Sequence, residues 1–127
     1  MKHLELFAGI GGFRHALNLL GKDCGFPVEC VGFSEIDAYA SKTYQANYNT
    51  NGEIVMGDIV QFTSDEANIR ALPDFDMLTG GFPCQSFSMM GKQHGFGDVR
   101  GNVFFQIMDI LRIKHPRFIL LENVKNL

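Results

Sequence analysis

The chain holds few of the residues that would mark a secreted, metal-dependent or membrane-bound protein. Its three cysteines, Cys24, Cys30 and Cys84, cannot all pair, and no zinc-type spacing joins them to the four histidines. Free thiols in a reducing cytosol are the expectation. No apolar run approaches the roughly 20 residues that span a bilayer. Met1-Lys2-His3-Leu4 leads straight into a strand-like run, without the apolar stretch of a signal peptide. Positive charge is scarce as well: 11 Lys and Arg against 14 Asp and Glu leave a formal net charge of −3. A duplex-DNA binder normally carries a basic footprint, so charge alone does not point to nucleic acid. Internal repeats, low-complexity tracts and interdomain linkers are absent too.

What is present suits one packed domain, with 46% hydrophobic residues and 12 Phe in 127 positions. Short apolar runs alternate with helical patterns. Strands are expected over residues 4–7, 30–33, 54–56, 75–79 and 118–121, the last an apolar run of buried type. The spacing predicts a helix over residues 11–21, with Phe13, Ala16, Leu17 and Leu20 inward and Gly21 near its C-cap. Asp37 is placed to cap a helix over residues 38–48. Ser64-Asp65-Glu66 opens a brief helix before Pro73, and residues 102–114 carry another. Strand–helix alternation with short links is the pattern of an α/β fold, a parallel sheet with helices on both faces.

Ligands of such sheets bind outside the strand C-termini, so the chemistry-bearing residues there matter most. Phe7-Ala8-Gly9-Ile10-Gly11-Gly12 joins the first strand to the first helix, where glycines let backbone approach a ligand. A dinucleotide fingerprint would need a third glycine where this chain has Arg14. Glu35 ends the second strand about 26 positions after Gly9, near the offset at which an acid reads ribose hydroxyls. Asp58 follows the third strand, where it could accept from an adenine amino group. Both acids could equally be helix-capping or surface groups. Cys84 lies near the start of a glycine-rich loop over residues 80–101, and Glu122 emerges at the end of the fifth strand. A thiol on a strand-end loop can be presented to a substrate. A loop this long exceeds the roughly 12–15 residues usual for connections that carry no function, and it reads as a mobile lid over the site. Lys92 and His94 read equally well as solvated loop residues. Cys24 and Cys30 are expected in the packing, and His3, His15 and His115 in structural roles.

Phe7 to Gly12, Pro83-Cys84-Gln85 and Glu122-Asn123-Val124 together resemble, in order and spacing, the signature blocks of the DNA (cytosine-5) methyltransferases. The resemblance runs along all 127 residues, which correspond to the N-terminal part of the cofactor-binding and catalytic domain. The family's target-recognition region and closing C-terminal segment have no counterpart here. The resemblance implies a truncated Rossmann-like S-adenosylmethionine-dependent methyltransferase fold. It implies a cofactor pocket of Phe7, Ala8, Gly9, Gly11, Gly12, Glu35, Ile36, Asp58 and Ile59, with Ile36 where an apolar side chain stacks on adenine. It makes Cys84 the nucleophile that adds to carbon-6 of cytosine and Glu122 the acid at ring nitrogen-3 and the amino group. Gln85, Ser88 and Arg100 would meet the DNA backbone or the space vacated by a flipped base. No metal is implied. The expected setting is a bacterial cytoplasm, in restriction–modification, with duplex DNA as partner and no membrane. Competing readings are an inactive fragment or one chain of a split enzyme needing a C-terminal part, a nicotinamide oxidoreductase, and a cysteine hydrolase lacking a placed histidine.

Overall fold

The structure, a computed structural model, describes residues 1–82 and 103–123. Five parallel strands form one sheet: β1 (Lys2–Leu6), β2 (Glu29–Ser34), β3 (Ile54–Gly57), β4 (Met77–Gly81) and β5 (Phe118–Glu122), in the spatial order β3-β2-β1-β4-β5. Between them lie α1 (Gly12–Cys24), α2 (Ala38–Asn47), α3 (Ile59–Thr63), α4 (Glu66–Ala71) and α5 (Val103–Lys114). The connections leaving β1 and β4, which are neighbours, run to opposite sides of the sheet. That reversal opens a crevice at the C-terminal ends of these two strands.

The two faces of β1 differ in kind, because side chains alternate along a strand. Leu4 and Leu6 join Val31, Met56, Leu78, Ile107 and Ile110 in the larger apolar core, to which Ile59 of α3 and Ile69 of α4 also belong. His3 and Glu5 point the other way and are just as fully buried. They meet a face built from Phe33, Tyr44 and Ala8, where Phe33 and Tyr44 stack with ring centroids 4.1 Å apart. His3 Nε2 shares a hydrogen bond of 2.7 Å with Thr79 Oγ1. Burial, and secondarily the charge of Arg14, lowers the His3 pKa to about 4, so the imidazole is neutral in the folded protein. Right-handed crossovers set α1 and α2 over this polar face and α3, α4 and α5 over the apolar one, where the latter three pack against each other.

Five expectations change. Helix α1 runs past Gly21 to Cys24 and ends at Gly25, which takes the left-handed conformation at φ 75°. Its buried side is Arg14, Leu17 and Gly21 rather than Phe13, Ala16, Leu17 and Leu20, because Arg14 is drawn inward by an acid and two aromatic rings. Leu20 is half exposed. Helix α3 was not anticipated; Asp58 caps it by accepting from Val60 N–H at 2.9 Å. Cys24 is exposed rather than packed, while Cys30 is buried. Finally, β5 is not a covered strand: Phe118, Ile119 and Leu120 are 53%, 50% and 46% exposed, since among the described residues it pairs only with β4. By contrast, Asp37 caps α2 as expected, accepting from Ala40 N–H at 2.9 Å, and Asp65 caps α4.

Candidate functional site

The glycine turn leaves β1 by an abrupt change of backbone hand. Phe7 has φ 52°, followed by Gly9 at 57° and Gly11 at 93°. A non-glycine residue in this region is uncommon and is held there by its surroundings. Here Phe7 N–H donates to Ser34 Oγ at 3.0 Å, and Ala8 N–H donates to the Ser34 carbonyl at 2.8 Å. The turn is thus stapled to the end of β2. Gly11 admits no side chain: an added Cβ would collide with the Tyr48 ring.

The start of α1 has no side-chain cap from Gly11. The cap comes instead from β1, where Glu5 Oε1 accepts from Arg14 N–H at 3.2 Å and Glu5 Oε2 accepts from the Tyr44 hydroxyl at 2.8 Å. Burial pushes the Glu5 carboxyl up, opposed by these two hydrogen bonds and the Arg14 charge. A helix N-terminus is the usual seat for a pyrophosphate. In this fold that seat is filled from below by a protein carboxylate.

A cleft of about 510 Å³ opens beside the turn, lined by Phe7, Ser34, Glu35, Ile36, Asp58 and Val60, with Ile59, Gly57, Gly81 and Val103 completing it. Its size falls within the usual range of ligand pockets, roughly 300–1,000 Å³. Glu35 spans two backbones at its rim: Oε1 accepts from Gly9 N–H at 2.7 Å and Oε2 from Asp37 N–H at 2.9 Å. Of the expected pocket residues, Phe7, Glu35, Ile36, Asp58 and Ile59 therefore line one cavity. Ile36 is 75% exposed and free to meet a ligand, whereas the Ile59 side chain belongs to the core. Ala8 is buried behind the turn. Gly9, Gly11 and Gly12 form the turn without lining this cavity.

On the far side of the crevice, Gly81 and Glu122 are register partners across β4 and β5. Glu122 Oε2 would lie 3.0 Å from a Cβ added at Gly81, so glycine leaves room for the carboxylate. Asn123 Nδ2 donates to the Phe82 carbonyl at 3.0 Å, and Phe82 is buried near Phe104. The residues expected on the following loop, Cys84, Gln85, Ser88 and Arg100, lie outside the described residues, as does the expected lid.

Residues 1–127 match the family described as C-5 cytosine-specific DNA methylase. The chain belongs to this family. It is 53% identical over 127 residues to the type II methyltransferase M.NlaX of Neisseria lactamica, covering 99% of this chain and 37% of that protein. It is 47% identical over 126 residues to the type II methyltransferase M.HhaI of Haemophilus parahaemolyticus, covering 99% and 34%. To the orphan methyltransferase M.Rho11sI of Bacillus phage rho11s it is 45% identical, covering 100% and 24%. The chain thus spans between about a quarter and two fifths of these relatives' length.

For a C-5 cytosine methylase the thiols divide clearly. Burial pushes the Cys30 thiol up to about 12, and it donates to the Gly32 carbonyl at 3.3 Å. It is a core residue and no nucleophile. Exposed Cys24 sits at the far end of α1 from the crevice. Sequence reasoning missed Glu5, Ser34, Tyr48 and Gly81 as builders of the site. The one available signal was the alternation Leu4-Glu5-Leu6, which puts an acid on a sheet face that must then supply it with partners.

Proposed function

We propose that this chain supplies the cofactor-binding and catalytic part of an enzyme that transfers a methyl group from S-adenosylmethionine to carbon-5 of cytosine in DNA. The observation that carries this reading is the meeting, at one crevice, of the cleft bearing Glu35 and Asp58 with the Gly81–Glu122 pair, three positions before Cys84.

The residues present fit that cofactor. S-adenosylmethionine has a sulfonium and no phosphate; when bound it supplies an electrophilic methyl group. Two carboxylates at the cleft suit a positively charged ligand, and apolar Ile36 and Val60 suit a purine ring. A pyrophosphate-bearing nicotinamide cofactor fits less well, since Glu5 already takes up the Arg14 N–H at the helix N-terminus.

Carbon-5 of cytosine is a weak nucleophile. Addition of the Cys84 thiolate to carbon-6 breaks the ring's conjugation and makes carbon-5 enamine-like. Glu122 interacts with ring nitrogen-3 and the amino group, relieving the negative charge that develops as the thiolate adds. An unperturbed thiol near pKa 8.5 is mostly protonated at neutral pH, so the site must activate Cys84 or couple its deprotonation to attack. The target atoms lie inside the duplex, and reaching them requires base flipping, at a cost of a few kcal/mol.

The function belongs to a larger assembly. An apolar strand exposed on both faces, such as β5, is normal only where further structure covers it, and the relatives are about three to four times longer. The same observation favours a second reading, one chain of a split methyltransferase that binds cofactor or a partner without turnover alone. Both are tested by transfer of a labelled methyl group to duplex DNA. The 127-residue chain alone should give none. Addition of a relative's C-terminal part, fused or separate, should restore transfer. Robust methylation by the chain alone would overturn the need for a further part. No transfer after completion would favour the non-catalytic reading.

A further inference from the structure

Arg14 stands where a dinucleotide turn would place its third glycine, and its destination explains the departure. Its guanidinium lies 5.4 Å from the centroid of the Tyr44 ring and 4.7 Å from that of Tyr48. It donates to the Tyr44 hydroxyl at 3.1 Å and to the Asn49 carbonyl at 3.3 Å, and pairs with Glu53 at 2.8 Å. The segment around Tyr48 and Asn49, just past the end of α2, is therefore fixed from α1. Tyr48 in turn donates its hydroxyl to the Gly11 carbonyl at 2.9 Å, with its ring closing the space where Gly11 would carry a side chain.

The glycine turn is consequently held from both ends. Glu35 takes the Gly9 N–H, and Tyr48 holds the Gly11 carbonyl. Glycine-containing turns have many accessible backbone states, and a site that must order them on binding loses affinity in proportion. We propose that Tyr48 is a positioning residue for the methyl-donor site: through the Gly11 carbonyl it preorganises the turn, and Arg14 holds it in place. This deepens, and rests on, the reading of the cleft as the S-adenosylmethionine site.

Tyr48→Phe keeps the ring against Gly11 and removes only the hydroxyl. Two measurements on the 127-residue chain separate the possibilities: amide hydrogen exchange at Gly9, Gly11 and Gly12 without ligand, and calorimetric titration with S-adenosylmethionine. The expected result is faster exchange confined to the turn, about a threefold to tenfold weaker Kd, and little change in the unfolding midpoint. In the completed enzyme, KM for the methyl donor should rise by a similar factor while KM for DNA stays constant. That split would not follow from a general loss of fold. Unchanged turn exchange, or unchanged donor affinity beside a loosened turn, would overturn the positioning role and leave the donor site standing. If the unmutated chain and the completed enzyme both fail to bind the donor, the reading of the cleft itself falls, and the inference with it.

Discussion

The side-chain amide of Asn123 holds the carbonyl of Phe82 at 3.0 Å, joining the end of β5 to the residue before Pro83. The bond fixes Phe82, next to the Gly81–Glu122 pair and two positions before Cys84 in sequence. Asn123→Ala should leave the proposed donor cleft intact and loosen Phe82. In the completed enzyme kcat should fall about tenfold, the worth of one hydrogen bond at a reacting site, while donor Kd stays within about twofold. Radiolabel transfer and calorimetry read the two quantities; a loss in affinity with normal kcat would contradict this assignment.

Glu35 has a double task, bracing Gly9 and Asp37 while facing the cleft. Glu35→Ala orphans two backbone donors and should cost about 1–2 kcal/mol of stability, with donor binding lost. Glu35→Gln retains one acceptor for Gly9 and should recover most of the stability, yet bind donor at least about tenfold more weakly, since a charged acceptor is the stronger partner. Equal affinity in Glu35→Gln and wild type would mean that the carboxylate serves the turn alone.

The bond-making role proposed for Cys84 has a direct chemical test. In the completed enzyme Cys84→Ser should abolish turnover, because a hydroxyl ionises far less readily than a thiol. Donor binding should stay nearly intact. Wild type should form a covalent complex with DNA containing 5-fluorocytosine and the variant should not; a trapped adduct in Cys84→Ser would require another nucleophile.

His3 predicts an acid sensitivity unrelated to catalysis. Its folded pKa of about 4 lies below the ordinary value of 6.5, so the unfolded chain takes the proton first. Its contribution is complete above pH 6.5 and is lost as pH falls from there through 4, on the order of 3 kcal/mol over the whole range. Glu5, shifted upward by burial, acts in the opposite sense, gaining stability as pH falls. Urea unfolding at pH 7, 5.5 and 4.5 should show the loss, and His3→Gln, which can still reach Thr79, should flatten it. Identical pH dependence in both proteins would show that His3 is not the titrating group.

Much of this was readable in advance, for a physical reason. In a parallel sheet every strand ends at the same edge, so the glycine turn, Glu35, Asp58 and Glu122 could be assigned to that edge from their places after successive strand-like runs. Asp37 announced its helix through cap chemistry that is local to four residues. Arg14 did not announce itself. It was noticed as a missing glycine, but its partners Tyr44, Tyr48 and Glu53 sit 30 to 39 positions away, and nothing in a local pattern joins them. The apolar run of β5 was misjudged because period and hydrophobicity report what a strand suits, while its exposure depends on what neighbours it.

The two-sided character of β1 also bears on how the sheet finds its register. Moving the strand by a single residue against β2 and β4 would exchange its faces. Leu4 and Leu6 would then meet Arg14 and Tyr44, and His3 and Glu5 would enter the hydrocarbon core without partners, at several kcal/mol for each buried polar group. The ionic cluster beneath the glycine turn therefore favours one alignment of the central strand over its one-residue slips.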